Sequence, residues 1–343
     1  MADLNAIVTQ AISDAADGTL DLTAWSENRF DHAELVAAST LAWWLLSRAS
    51  GVSRVRLPEA DQKVFFRSGL VAVCDSVGID YEVEAAVAKG DQLFPPGTVG
   101  TRSVPVPPRV YVPLPDLAHA SNRPPDPDEH GRRYTWVGDL ISPNYRRLGP
   151  RDRTYAGGDA ARSLFEFVDN VHRWANAGDA LGVVSMSHGG GEESFDRMHI
   201  VVMDDGRGII SSVLADRSLD QLPASVTSDD LTTLLEHFMR VSFGKRDVPK
   251  HNGHGLHVAQ LLAKAWIGRI DLLSADERYP GLVHRARSTV RDGIEGCESF
   301  MLPGIRGTLV EITLNLTIAP EHREAITADE EHEQQELFAQ FAR

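Results

Sequence analysis

Between Leu93 and Gly158 the chain reads "FPPGTVGTRSVPVPPRVYVPLPDL" and "SNRPPDPDEHGRRY". Proline locks φ and carries no N–H, so no long helix can run through this stretch. The sequence is thereby cut into a unit over 1–92, a connector or insertion over 93–157, a unit over 158–318 and a tail over 319–343. Within the connector, "RVYVPL" and "YTWVGDL" read as short strands. The tail, with its "ADEEHEQQE" run, reads as an acidic, solvated helix. Both flanking units alternate strand and helix, which places the chain in the α/β class.

In the first unit "GTLDLTAW" and "SRVRLP" read as strands. "HAELVAASTLAWWLLSRAS" reads as a mostly apolar helix, and "DQKVFFRSGLVAVCDSVG" as a helix closed by glycine. The second unit opens with a helix over Ala160 to Ala177 and the strand "MHIVVM". A long loop leads to helices over Leu231 to Val241 and Gly255 to Trp266, followed by the strands "GRIDLLS" and "GTLVEITLNL". In the last strand Val310, Ile312, Leu314 and Leu316 fall on one side and Glu311, Thr313 and Asn315 on the other. That alternation predicts a sheet with one packed face and one more polar face.

A length of 343 residues with 42% hydrophobic content supports sizeable cores. No run of about 18 uncharged apolar residues is present, so no membrane span is expected. The start "MADLN" lacks the basic and apolar segments of a signal peptide. Two cysteines, Cys74 and Cys297, without metal-ligand spacing suit a reducing cytoplasm. The net charge of −15 argues against a nucleic-acid partner.

Four short motifs carry the chemistry. In "SLFEFVDNVHRWA", Leu164, Phe167, Val168, Val171 and Ala175 form an apolar helical stripe. Glu166 and Asn170, four apart, stack on its flank, where a carboxylate and an amide can hold a water and a metal ion together. In "VVMDDGRGII", Asp204 ends an apolar strand as an acceptor for an exocyclic amine. Gly206 and Gly208 leave room for a flat ring against the backbone. In "HNGHGLHVAQLLAK", Gly253 and Gly255 precede a helix, whose free N–H groups and positive end suit a phosphate. In "GIRGTLVEITL", Gly307 and Thr308 open a strand. Singly, each has a plain explanation as helix polarity, a turn, or a helix or strand start.

Their order is more specific. Glu-x-x-x-Asn on a helix, Asp-x-Gly-x-Gly after a strand, glycines before a helix, then Gly-Thr on a strand resembles the GHKL ATPase family. This family includes DNA gyrase, the MutL repair proteins, the ninety-kilodalton heat-shock chaperones, MORC proteins, histidine kinases and anti-sigma-factor kinases. The resemblance covers roughly Gly158 to Leu316, and "DDGRGI" is close to the gyrase-type version. It implies an α/β sandwich, a mixed sheet with helices on one face, with ATP and Mg²⁺ as ligands. By the same likeness Asp204 accepts from the adenine amino group, Gly206 and Gly208 pack beneath the ring, and Thr308 supports that contact. Asn170 coordinates Mg²⁺, and Gly253, His254, Gly255 and Leu256 donate to the phosphates. The segment from Ile209 to Asn252 forms a mobile lid whose Lys245, Arg246 and Lys250 lie within reach of phosphates.

Glu166 suits a general base acting on water or a serine hydroxyl, unlike the histidine kinases, and no phosphoacceptor helix pair is seen before the unit. Gyrase, MutL and the chaperones add a second domain with a lysine for the γ-phosphate. Here a partner or neighbouring subunit supplies that cation, or turnover is slow, or the phosphoryl group passes to a protein. Val171 and Arg173 depart from the residues common after the motif asparagine. The first unit faintly resembles STAS-like domains, but "RFDHAEL" lacks their helix-start serine, which leaves a scaffold or dimerisation role. The expectation is a cytoplasmic, Mg-dependent ATPase of GHKL type that regulates a protein partner or a homo-oligomer, in stress signalling or defence. An anti-sigma-type serine/threonine kinase and a non-catalytic nucleotide-binding scaffold stand as alternatives.

Overall fold

The computed structural model describes residues 4–13, 15, 17–25, 32–47, 51–58, 63–82, 106–110, 160, 164, 167, 168, 170–187, 197–209, 211, 212, 266, 268–277, 279–289 and 293–315. Ten strands and four α-helices are traced among them. In chain order they are α1 (Leu4–Ser13), β1 (Thr19–Asp21), α2 (His32–Leu46), β2 (Arg54–Arg56), α3 (Lys63–Arg67), α4 (Leu70–Val77) and β3 (Asp80–Glu82). There follow β4 (Val106–Val110), β5 (Ala180–Ser187), β6 (Arg197–Asp204), β7 (Arg269–Ala275), β8 (Leu282–Thr289), β9 (Gly293–Met301) and β10 (Gly307–Asn315). Among these residues no helix is long and apolar enough to cross a membrane.

The α/β class holds. The first unit carries a three-stranded parallel sheet, β1-β2-β3, and the second contributes six strands to a seven-stranded sheet ordered β4-β5-β6-β10-β7-β8-β9, whose edge strand β4 comes from the connector. All six described pairings of the larger sheet are antiparallel, so the parallel pairs belong to the N-terminal sheet. The helix expected over 61–78 breaks at Ser68–Gly69 into α3 and α4, and Gly78 closes it in the left-handed conformation, as its position suggests. Inside the proline-rich span "VPPRV" is a strand, β4, which takes in Arg109 and Val110 of the expected "RVYVPL"; the rest of that segment and the expected strand "YTWVGDL" lie outside the described residues. The strand β4 lies at the sheet edge, where prolines without an N–H are tolerated.

The largest departure from expectation concerns the polar side of β10. Leu309 packs in one core with Met203 and Val201 of β6, Leu273 of β7 and the apolar residues of α2. Glu311 and Thr313, on that same side, are buried, as are Val310, Ile312 and Leu314 opposite. Both faces of the sheet are therefore covered, and α2 supplies part of the cover. This explains α2 itself: from Leu35 to Leu46 every residue is buried, as a helix that is apolar all round requires.

Among the described residues neither carboxyl oxygen of Glu311 has a well-aligned hydrogen-bond partner. Ser39 of α2 is close enough to influence it, yet its Oγ also lacks a properly aligned bond. Burial, and then the neighbouring Asp271, push the Glu311 carboxyl up to about 8. A raised carboxyl contributes stability fully below its unfolded value and loses it as pH rises through the folded value. Glu311→Gln keeps the shape of the neutral acid without its ionisation. Its melting temperature relative to wild type should therefore climb between about pH 5 and about pH 9. Parallel melting curves with a constant gap across that range would contradict the buried, raised carboxyl.

Candidate functional site

The strand β6 is apolar and buried from Met198 onward, and Asp204 ends it inside the protein, only 3% exposed. Its Oδ1 accepts the Gly206 N–H at 2.8 Å. Across the ladder Thr308 of β10 stands opposite Asp204, and its N–H and hydroxyl both act on the carboxyl. Burial raises the Asp204 carboxyl to about 7. Asp205 adds to the rise, while the bonds from Gly206 and Thr308 oppose it. A carboxyl so placed is an acceptor close to neutrality, held at the end of the strand by its own loop and the adjoining strand.

The two glycines of this motif are demanded by the protein's own main chain. A Cβ on Gly206 would stand 2.2 Å from the Ala175 carbonyl oxygen, and one on Gly208, at φ +81°, 2.5 Å from the Ala275 carbonyl oxygen. The room expected for a ring along the Cβ directions is thus occupied by backbone from the neighbouring segments. Further bonds fix the loop. Arg207 N–H donates to Ala175, Glu277 N–H to Arg207, and Ile209 N–H to Ser274 Oγ. Ser212 Oγ donates to the carbonyls of Trp174 and Gly208.

Sequence reasoning passed over Asp205. Its Oδ1 accepts the N–H groups of Gly178 and Asp179 at 2.7 and 2.8 Å, and its Oδ2 meets Arg306 Nη2 at 3.1 Å. One carboxylate thus joins the loop after β6, the approach to β5 and the turn that leads into Thr308. The doubled aspartate was the available signal: two adjacent carboxylates at a strand end point to different sides.

Ala160, Leu164, Phe167 and Val168 are helical and buried, and Ala175 is buried while Val171 is half-buried, which is the expected stripe. Asn170 is half-buried and heads a π-helical turn, Val171–Ala175, ended by Asn176 in the left-handed conformation. Such turns are rare and recur at functional sites, because the wider ring displaces side chains from the regular helical pattern. The turn brings Ala175 against Gly206 and Arg207, so the structure joins the Asn170 segment, the Asp204 loop and Thr308 at one end of the sheet. Glu166, Lys245, Gly253, His254, Gly255 and Leu256, with Arg246 and Lys250, lie outside the described residues, as do the helix expected over 231–241, that expected over 255–266 apart from Trp266, and the acidic tail. Among the described residues no group of three or more His, Cys, Asp or Glu is placed to hold a metal ion.

No family model matches the chain, and no curated protein matches it. Among solved structures it is similar to the N-terminal domain of a DNA repair protein, at 12% identity and a TM-score of 0.22 over 39% of this chain and 32% of that one. It is also similar to the ATPase region of Saccharomyces cerevisiae topoisomerase II, at 12% identity and a TM-score of 0.23 over 35% and 29% of the two chains. The same region bound to ICRF-187 (dexrazoxane) matches at 10% identity and a TM-score of 0.23, over 38% and 34%. The chain spans about a third of the length of these structures, from 29% to 34%.

Proposed function

We propose that the protein is an Mg-dependent ATP-binding and ATP-hydrolysing regulator of GHKL type, whose 209–252 segment closes over the nucleotide and alters how a protein partner docks. The observation that carries this reading is the setting of Asp204: a buried carboxyl at a strand end, flanked by a Gly206 N–H and a Thr308 hydroxyl. A carboxyl oxygen in such a site takes the exocyclic amino hydrogen of adenine and excludes the keto oxygen of guanine, so the position selects the base. The Gly206 N–H and Thr308 hold the carboxyl that makes the contact, and Gly208 keeps the loop behind it in place. Asn170 is the side chain that would hold Mg²⁺, which when bound would supply positive charge to offset that of the phosphates. Gly253, His254, Gly255 and Leu256 give main-chain donors to the phosphates, Lys245 a cation from the lid, and Glu166 a carboxylate that takes a proton from water.

The experiment is calorimetry with Mg-ATP on the full chain and on Asp204→Asn, followed by incubation with γ-labelled ATP. Wild type should bind ATP, and the variant should bind roughly tenfold or more weakly, since an amide presents a donor where the adenine amine needs an acceptor. Label released as free phosphate supports the ATPase; label on protein would make it a kinase. Unchanged ATP affinity in the variant would remove Asp204 from the site.

A further inference from the structure

We infer that Trp43 is a positioning residue of the nucleotide site, through which the N-terminal unit sets affinity for adenine; this rests on the ATP-binding reading above. Trp43 is fully buried in α2, and its indole Nε1–H donates to the main-chain carbonyl oxygen of Asp204 at 2.8 Å. An indole is a donor only, so its burial at this point requires an acceptor, and the acceptor it takes belongs to the residue that would read the base. The bond does not stand alone. One residue on, Trp44 Nε1–H donates to the Pro303 carbonyl at 3.0 Å. One turn on, Ser47 Oγ, bonded to the Trp43 carbonyl at 3.1 Å, also lies 3.4 Å from the Arg306 carbonyl. Pro303 to Arg306 is the loop that enters β10 at Gly307 and Thr308. The last turn of α2 therefore holds both main-chain segments that carry the proposed adenine contacts, Asp204 and Thr308.

The strand end has little slack to absorb a movement of α2. Gly307 approaches Asp204 so closely that a Cβ there would lie 2.0 Å from the same carbonyl oxygen that Trp43 engages. On its remaining sides α2 packs in one core with α1, α3, α4 and β2 of the N-terminal unit. A shift of that unit must carry Trp43 with it, and Trp43 must either drag Asp204 or leave its carbonyl without a donor in a buried site. Coupling of this kind is reciprocal, so bound adenine would in turn hold α2 in place.

The test compares ATP and inorganic triphosphate binding to the full chain of wild type, Trp43→Phe, Asp204→Asn and the double variant. Trp43→Phe keeps an aromatic ring and removes the N–H. We expect roughly fivefold weaker ATP binding, unchanged triphosphate binding, and no further loss when Asp204→Asn is already present. A general packing defect would weaken both ligands and would add to the Asp204→Asn loss; either result overturns the role. If wild type binds ATP and Trp43→Phe binds it equally, the inference alone fails. If wild type does not bind ATP, the functional reading fails and takes this inference with it. Should Trp43→Phe not fold, the Trp43 indole resonance of ¹⁵N-labelled wild type gives the same answer. It should move on addition of ATP and stay fixed with triphosphate, and an indole that ignores ATP overturns the coupling.

Discussion

Gly307→Ala should destabilise the protein by more than about 3 kcal/mol, a large fraction of an ordinary stability of about 5 to 15 kcal/mol. Gly307 sits at φ +94°, a backbone conformation in which an alanine is strained by about 1 kcal/mol or more. The second cost is larger. The added methyl would stand 2.0 Å from the Asp204 carbonyl oxygen, 2.7 Å from its carbon and 2.8 Å from the Gly206 nitrogen. All three atoms are main chain, so no side-chain rotation relieves the clash, and the β6 end or the β10 start has to move. Either movement pulls Thr308 from Asp204 and strains the Trp43 bond to the same carbonyl. Gly51, also at positive φ but with nothing within 4 Å of an added Cβ, is the useful contrast. Gly51→Ala should cost only the backbone strain, about 1 kcal/mol. Urea denaturation of the two variants measures the difference, and equal midpoints would refute the main-chain contact at Gly307.

What the sequence disclosed and what it hid follow from how locally each feature is encoded. The class, the β6 and β10 strands and the apolar helix α2 rest on patterns within about 20 residues, and all three are present. The burial of α2 was implicit in its lack of a polar side, although the sheet it covers is distant in the chain. The strands β8 and β9 escaped notice because "LVHRARST" and "GIEGCESFM" show no clean apolar alternation. Their polar residues are satisfied across strands, as in the Arg285 pairing with Glu298, and such a pairing leaves no trace in either segment alone. The start of β4 was not legible because its two prolines argue against a strand everywhere except at a sheet edge. At the candidate site, Asp204 and Thr308 were legible as motif members, and the ladder does place them opposite one another. The roles of Asp205 and Trp43 were not, since each depends on a partner far away in sequence: Arg306 for the first and the Asp204 carbonyl for the second.

Asp271→Ala should cost about 3 to 5 kcal/mol, because it strips the counter-charge from a buried arginine. Asp271 is fully buried on the α2 side of β7, where its register neighbour on β10 is Glu311. Its Oδ1 accepts from Arg285 Nε at 2.9 Å and Nη2 at 2.6 Å, and more distantly from Arg287 Nε at 3.3 Å, while its Oδ2 accepts from Arg269 Nε at 3.0 Å. Three guanidinium groups thus converge on one carboxylate, and Arg285, only 3% exposed on its side chain, has one further acidic partner, the half-exposed Glu298. Removing Glu298 leaves Arg285 its buried carboxylate and should cost under about 1 kcal/mol, as expected for an exposed partner. Removing Asp271 leaves a desolvated cation next to a carboxyl that is ordinarily protonated. Glu311 would then respond: with the nearby anion gone and the arginines unpaired, its carboxyl should titrate well below its present value near 8. Asp271→Ala is therefore expected to lose most stability at low pH, where Glu311 is neutral, and to recover part of it as pH rises and Glu311 ionises beside the arginines. Chemical denaturation of the variant at about pH 5 and about pH 9 reads this directly. A loss that is equal at both would mean that Glu311 does not sense the arginine cluster.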